Sequence, residues 1–429
     1  MVQSAISRPA MATWLSWPSV LGEFHAEPLA GPGTGPERFE APPCQPAVPQ
    51  PDLPAIFRRT VEDLVSPYSS VALSISGGLD SAGVLVHLHE ICASKNIELH
   101  LITAELTGDD GETNIHHIER LLKGVGIGQP PVHRIEAHPN DNGKRYFWSP
   151  RGPRLDSSAA VNDAMVDTAM GLGAQAVFTG AGSDELTGTV RYMLGSFLAR
   201  GRLDLFRSYW RDTISISKQA ALLESLAALA GVLPRRWRAI AYYAVAEDPS
   251  VDLTAPSLVG APLRPYVAEW SRAWMNQRLR FQAASHESWS AMEAWESLDP
   301  VCPPIISDDP IPFLHPYMNR EFVTAVMQTR LDARYGTHHP NSYWRQKSIV
   351  LDLIGKEYWD YLPVEKQIFS NWMRADEVKT RQAAPQLVEL GVVEAAVLTQ
   401  TDDTMLLHRV AELEAWTAIA TDRGYDFVD

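Results

Sequence analysis

The spacing of apolar positions changes several times along the chain, and each change marks an element. Val71 to Ile75 is a short unbroken apolar run, which predicts a buried strand. A glycine turn follows. From Ser81 the apolar residues Val84, Leu85, Leu88 and Ile91 recur at helical spacing. Leu99 to Ala104 predicts a second strand, Asn114 to Leu122 a helix ended by Gly124 and Gly126, and Val132 to Ile135 a third strand. A helical pattern over Asp156 to Leu172 leads into a further strand at Ala176 to Thr179. Strands alternating with helices predict an α/β fold with a doubly wound parallel sheet. Beyond about Tyr192 the strand signals fade, and stretches such as Lys218 to Leu229 and Glu293 to Leu298 read as helices. Three regions are therefore expected: a Pro/Gly-rich loop or linker over 1–55, a sheet domain over 56–192 and a helical part over 193–429 that packs on the sheet and completes the same domain. Trp14, Trp17, Phe24 and Phe39 in the first region predict that it packs on something.

Composition narrows the function classes. With 429 residues, 45% apolar and 21% charged, the chain can bury a large core. A formal net charge of -15 argues against a general nucleic-acid binder, which needs a positive surface. Cys44, Cys92 and Cys302 are far apart, so no CxxC pair offers a zinc ribbon or a sulfur relay. No apolar run is long enough to span a bilayer, and the start of the chain lacks a signal-peptide pattern. The expectation is a cytoplasmic protein with no nucleic-acid or membrane partner.

The chemistry centres on Ser76-Gly77-Gly78-Leu79-Asp80-Ser81, between a strand and a helix. That position aims backbone N–H groups and a helix N-terminus at an anion. Two glycines let the backbone approach phosphate oxygens, and the serines add hydroxyls. An acid at Asp80 makes sense if it holds Mg²⁺, which in turn binds the phosphates. The string resembles the phosphate loop of the N-type ATP pyrophosphatases, and more narrowly that of the asparagine synthetase family. Val177-Phe178-Thr179-Gly180-Ala181-Gly182-Ser183-Asp184-Glu185-Leu186 resembles a second string of that family. Pro312-Phe313-Leu314, and the order Lys347, Leu362-Pro363, Lys366, resemble its later segments.

The resemblance implies an adenine nucleotide α-hydrolase-like fold and an ATP-dependent, AMP-forming amide synthetase. It implies Asp80 and Asp184 as a Mg²⁺ pair. It implies ATP contacts at Ser74, Ser76, Gly77, Gly78, Leu79, Asp80, Ser81, Ala104, Thr179 and Gly180. Lys366 matches the lysine at the reacting phosphate and acyl groups, where it would neutralise developing charge. Lys347 is a second catalytic candidate, expected to act through binding or packing. Arg154, Asp156 and Ser157 fall where the family places substrate contacts. The partners implied are a carboxylate substrate and an amine nucleophile, which in a lasso-type cyclisation belong to one precursor peptide.

Two departures shape the expectation. The second residue is Val2, so no cysteine nucleophile stands where the family's glutaminase has one. Glutamine is then not expected as nitrogen donor for this chain alone; a separate glutaminase or a protease is a candidate partner. Ala181 occupies the position of the family's proton-removing Glu or Tyr and can do no acid–base work. That favours macrolactam formation or natural-product amide formation. Ammonia-dependent asparagine synthesis and an inactive partner protein remain as alternatives. Glu185, Asp163 and His315 are candidate replacement bases, each with a structural reading beside it. Arg235-Arg236-Trp237-Arg238 reads as a solvated helix face, Trp270, Trp274, Trp289 and Trp295 as core, and Asp109, Asp110 and Glu112 as an exposed turn.

Overall fold

A computed structural model describes residues 5–16, 39–127, 131–136, 159–245, 257–299, 310–369, 384–401 and 403–429. The chain is mixed α/β. Strands β1 (Ala5–Ser7), β2 (Ser70–Ser74), β3 (Glu98–Ala104), β4 (Val132–Ile135), β5 (Val177–Phe178), β6 (Phe313–Leu314) and β7 (Asp426–Val428) form two sheets. The larger has the order β4-β3-β2-β5-β6, and all its pairings are parallel. Parallel strands need both faces covered, and here they alternate cleanly. Val71, Leu73, Ile75 and Leu101 join the main core. Ala72, Ile102 and Val177 point the other way, onto Met165 and Ala169 of the helix Ala159–Gly171.

The chain order creates a switch point. From β2 it steps outward to β3 and β4, then returns to lay β5 on the other side of β2. The carboxyl ends of β2 and β5 thus flank the switch point, the place where α/β sheets open a crevice. Ser76–Ser81 follows β2, and Thr179–Glu185 follows β5.

Two expectations need correction. The sheet does not end at residue 192, because its fifth strand comes from Phe313–Leu314. The main core likewise runs from Ala41 to Leu362 and takes in Phe197, Trp295 and Val350. The region 1–55 is more than a linker. Arg8–Ser16 is a helix that buries Met11, Trp14 and Leu15. It joins a second core with Val267, Leu387, Leu413 and Trp416, closed by parallel pairing of β1 with β7. The extended stretch 41–47 is tied to the main core: Trp295 Nε1 donates to the Ala41 carbonyl at 2.9 Å, and Ala47 N–H to Gln328 at 2.8 Å. Trp274, Trp289 and Trp295 are core residues of separate clusters, and Trp270 stacks on Trp274. Asp109, Asp110 and Glu112 are exposed, as expected.

One of these ties is sensitive to acid. The Cys44 N–H donates to His286 Nε2 at 3.3 Å, so that nitrogen must stay unprotonated. Burial pushes the His286 imidazole down to about 4. A folded value below the unfolded one contributes stability that is fully present above about 6.5 and is lost as pH falls toward 4. We expect the unfolding free energy to drop over that window by on the order of 3 kcal/mol from this group. His286→Gln, which keeps an acceptor but cannot titrate, should flatten the slope. Denaturant titrations at several pH values check this; an unchanged slope in the variant would remove the assignment.

Candidate active site

The turn Ser76–Ser81 is held by its own hydroxyls. The Ser76 N–H donates to Ser81 Oγ at 3.2 Å, Ser81 Oγ donates to the Gly78 carbonyl at 3.2 Å, and the Gly78 N–H donates to Ser76 Oγ at 3.3 Å. The helix begins at Leu79, two residues earlier than the sequence pattern predicts, and runs to Lys95. Asp80 is thus in its first turn, and Gly78 caps it without a side chain. Gly77 has φ +82°, and a Cβ there would stand 3.0 Å from His117 Cβ. Both facts favour glycine.

Four charged side chains converge where β2 and β5 end. Lys347 Nζ lies 2.5 Å from Asp80 Oδ1 and 2.5 Å from Asp184 Oδ1. Lys366 Nζ lies 3.1 Å from Asp184 Oδ2. The two lysines differ sharply: the Lys347 side chain is 6% exposed and that of Lys366 63%. Burial alone would lower the Lys347 ammonium, but Asp80 and Asp184 more than reverse this and hold it charged. Burial likewise works against the Asp184 carboxylate, and Lys347 and Lys366 together bring it below its usual value.

Distant elements build this cluster. Lys347 sits at the junction of the short helices Ser342–Gln346 and Ser348–Ile354. The Lys366 segment is anchored on both sides: Trp344 Nε1 donates to the Pro363 carbonyl at 2.7 Å, and the Asp109 N–H to Ile368 at 2.8 Å. Ser183 Oγ donates to Asp80 Oδ1 at 2.6 Å, and Tyr317 donates to the Asp80 carbonyl at 3.1 Å. Burial raises the Tyr343 hydroxyl, and the Asp80 and Asp184 charges raise it further.

The remaining expected residues fall around the crevice. Ser74 and Ala104 end β2 and β3. The end of β3 is fixed by buried Asn114, whose Nδ2 donates to the Ala104 carbonyl at 2.9 Å and whose Oδ1 accepts from the Leu106 N–H at 3.0 Å. Thr179 and Gly180 follow β5, and Thr179 Oγ1 lies 2.7 Å from His315 Nδ1. Among the candidate bases, Glu185 adjoins Asp184, and burial pushes its carboxyl up with help from the Asp184 charge. Asp163 lies on the helix Ala159–Gly171, over the other face of the sheet. Arg154, Asp156 and Ser157 lie outside the described residues. Arg238 departs from the expected solvated face: it is buried and donates to the carbonyls of Glu287 and Leu233.

Sequence reading missed Tyr317, Tyr343 and Asn114. Ser183 was inside the second string, where its adjacency to Asp184 was the available signal. Tyr317 is 237 residues from Asp80, and no local pattern marks such a pair.

Gly180 sets the width of the crevice. A Cβ there would come within 2.9 Å of the Asp80 carbonyl carbon and the Ser81 nitrogen. Since the obstacle is backbone, the two loops must separate. Gly180→Ala should move Asp80 away from Asp184 and lower any activity of the site roughly a hundredfold, as small misplacements of reacting groups do. Steady-state kinetics with a thermal melt checks this; an active, equally stable variant would show that the loops do not need this approach.

Among the described residues no three His, Cys, Asp or Glu side chains gather as a closed metal cage. No helix among them is long and apolar enough to cross a membrane. No protein-family model matches the chain, and no curated protein matches it significantly.

Proposed function

We propose that the chain is an ATP-dependent, AMP-forming amide-bond synthetase with the adenine nucleotide α-hydrolase-like fold. The observation that carries this reading is the convergence of Asp80, Asp184, Lys347 and Lys366 beside a glycine turn that opens a helix at a sheet switch point. Such a turn suits the pyrophosphate end of a nucleotide. The lysines suit the charge that builds on the α-phosphate and acyl oxygens.

Asp80 and Asp184 fit a Mg²⁺ ion. Their donors are hard oxygens, and two carboxylates leave coordination positions for phosphate oxygens and water. They already share one cation, the Lys347 ammonium. When bound there, Mg²⁺ supplies compensation for pyrophosphate charge. The protein's part is to receive and orient. N–H groups of the turn receive the β- and γ-phosphates while a substrate carboxylate oxygen attacks the α-phosphorus and the bond to pyrophosphate breaks. The amine then attacks the acyl carbon, AMP leaves, and the amine proton passes to Glu185, whose raised carboxyl suits it to accept. This gives Glu185 the role that Ala181 cannot fill.

The substrate pair we propose is a carboxylate and an amine on one precursor peptide, with a natural-product acid as the alternative. ATP–pyrophosphate exchange against linear peptides and small carboxylic acids tests the reading. Exchange that depends on one acid is the expected result. A folded chain that binds no Mg-ATP in equilibrium dialysis would sink it and leave the inactive-partner reading standing.

A further inference from the structure

The helix Lys218–Ala230 is built inside out. It buries Ala221, Glu224, Ala227 and Ala230 and turns Leu222, Leu226 and Leu229 to solvent. Its inner face has to be small, because a Cβ on Gly195 of the neighbouring helix Met193–Ala199 would stand 3.2 Å from Ala228 Cα. The outward leucines have no such reason. Burying a leucine is favourable, and the chain alone forgoes that gain here. Val232, Leu233 and Trp237 carry the apolar stripe over the turn into the helix Arg235–Val245. Of the seventeen large apolar side chains exposed among the described residues, eleven lie between 198 and 245. Such concentration marks an interaction site rather than ordinary surface.

Charge says what kind. Residues 198–240 hold eight Lys and Arg against three Asp and Glu, in a chain whose net charge is -15. Of the three acids, Asp212 and Glu224 are buried, and Asp204 is bonded to Arg202. Arg200 and Arg202 are paired with Asp332, Arg235 with Glu287, and Arg238 is buried, so the outward basic charge of this region rests on the exposed Arg207, Arg211, Lys218 and Arg236. Shape adds a third fact. A cavity of about 860 Å³ opens between Leu198, Ala227, Gly231 and Trp289, with Arg200, Arg235 and the Glu287 that pairs with Arg235 in its wall. Leu198 and Arg235 thus belong both to the exposed surface and to the recess.

We propose that this surface docks an acidic amphipathic helix of a partner protein, its leucines laid along the Leu222–Trp237 stripe and its carboxylates on the arginine rim. A second copy of the chain would bring two basic surfaces together, which repel. An anionic bilayer would meet the arginines, but it presents a flat fluid boundary and leaves the recess unfilled. A helix can place one side chain in it, as helix-in-groove recognition does. The inference stands apart from the proposed activity, since no residue of the Asp80–Lys347 cluster takes part.

The test uses the full chain and a fluorescein-labelled synthetic helix about five turns long, with leucines at helical spacing and glutamates elsewhere. Anisotropy should report binding with a Kd on the order of 10 μM. The pair Leu226→Glu with Leu229→Glu should weaken it at least about tenfold, and so should Arg235→Glu with Arg236→Glu. The charge-reversed variant should instead accept a helix whose glutamates are lysines. All four positions are exposed, and circular dichroism confirms folding. Equal binding of a scrambled peptide of the same composition would overturn the proposal by reducing it to bulk charge. So would no peptide binding, with or without capture on phosphatidylglycerol vesicles. Sedimentation showing a wild-type dimer that the leucine substitutions dissociate would assign the face to a second copy instead.

Discussion

Asp80→Asn and Asp184→Asn are each expected to abolish ATP–pyrophosphate exchange, a loss of roughly a thousandfold or more. Each substitution keeps size and polarity but removes one of two negative charges at the crevice. Under the proposed Mg²⁺ role the affinity should depend on both, because no three His, Cys, Asp or Glu side chains gather there among the described residues. Stability should respond less. The Asp184 side chain is half exposed and Lys347 keeps Asp80 as a partner, so its loss should lower the melt less than it lowers exchange. Asp80 is more enclosed, and its asparagine still accepts from Ser183. Exchange measured beside thermal melts separates chemistry from folding. Near wild-type exchange in either variant would remove the carboxylate pair from the mechanism.

Lys347→Ala is expected to give the second large loss, on the order of a hundred- to a thousandfold in exchange, and more than Lys366→Ala. Sequence order alone ranks these lysines the other way. Geometry reverses the rank: Lys347 is buried and touches both carboxylates, whereas Lys366 is exposed and touches one. A buried charge-assisted contact is worth more than an exposed one, which water competes for. The same variant carries a second, opposite signature. Removing the ammonium leaves two carboxylates facing each other uncompensated, so nucleotide-free Lys347→Ala should bind Mn²⁺ at least about tenfold more tightly than wild type. Calorimetric titration reads this directly. Unchanged Mn²⁺ affinity, or a larger exchange loss in Lys366→Ala, would mean that Lys347 is structural.

Most of the sheet could be read from sequence because its strands are short, apolar and bounded by glycine turns. Val132–Ile135 is a case where pattern and strand coincide. The turn between β2 and its helix was legible for the same reason, since its glycines and serines form one local string. Phe313–Leu314 was not read as a strand, because two residues carry no period. It lies beyond residue 192, in the part expected to be helical. The helix Arg8–Ser16 was hidden by the proline content around it, although Met11, Trp14 and Leu15 repeat at helical spacing. The rank of Lys347 could not be read at all: burial is a property of what the fold brings around a residue, and the sequence holds only neighbours.

The pairing of Asp80 with Lys347 spans 267 residues, and β6 joins β5 from far along the chain. Contacts of such separation close late, because the intervening chain must first be ordered. During synthesis β2 to β5 can pair while both carboxylates still lack their lysine. The crevice then carries two unneutralised acids until Lys347 arrives, so the partly made chain is weakest where the finished one gathers its four charges. Refolding should accordingly show sheet signals before the fluorescence of Trp344, three residues from Lys347, reaches its native value.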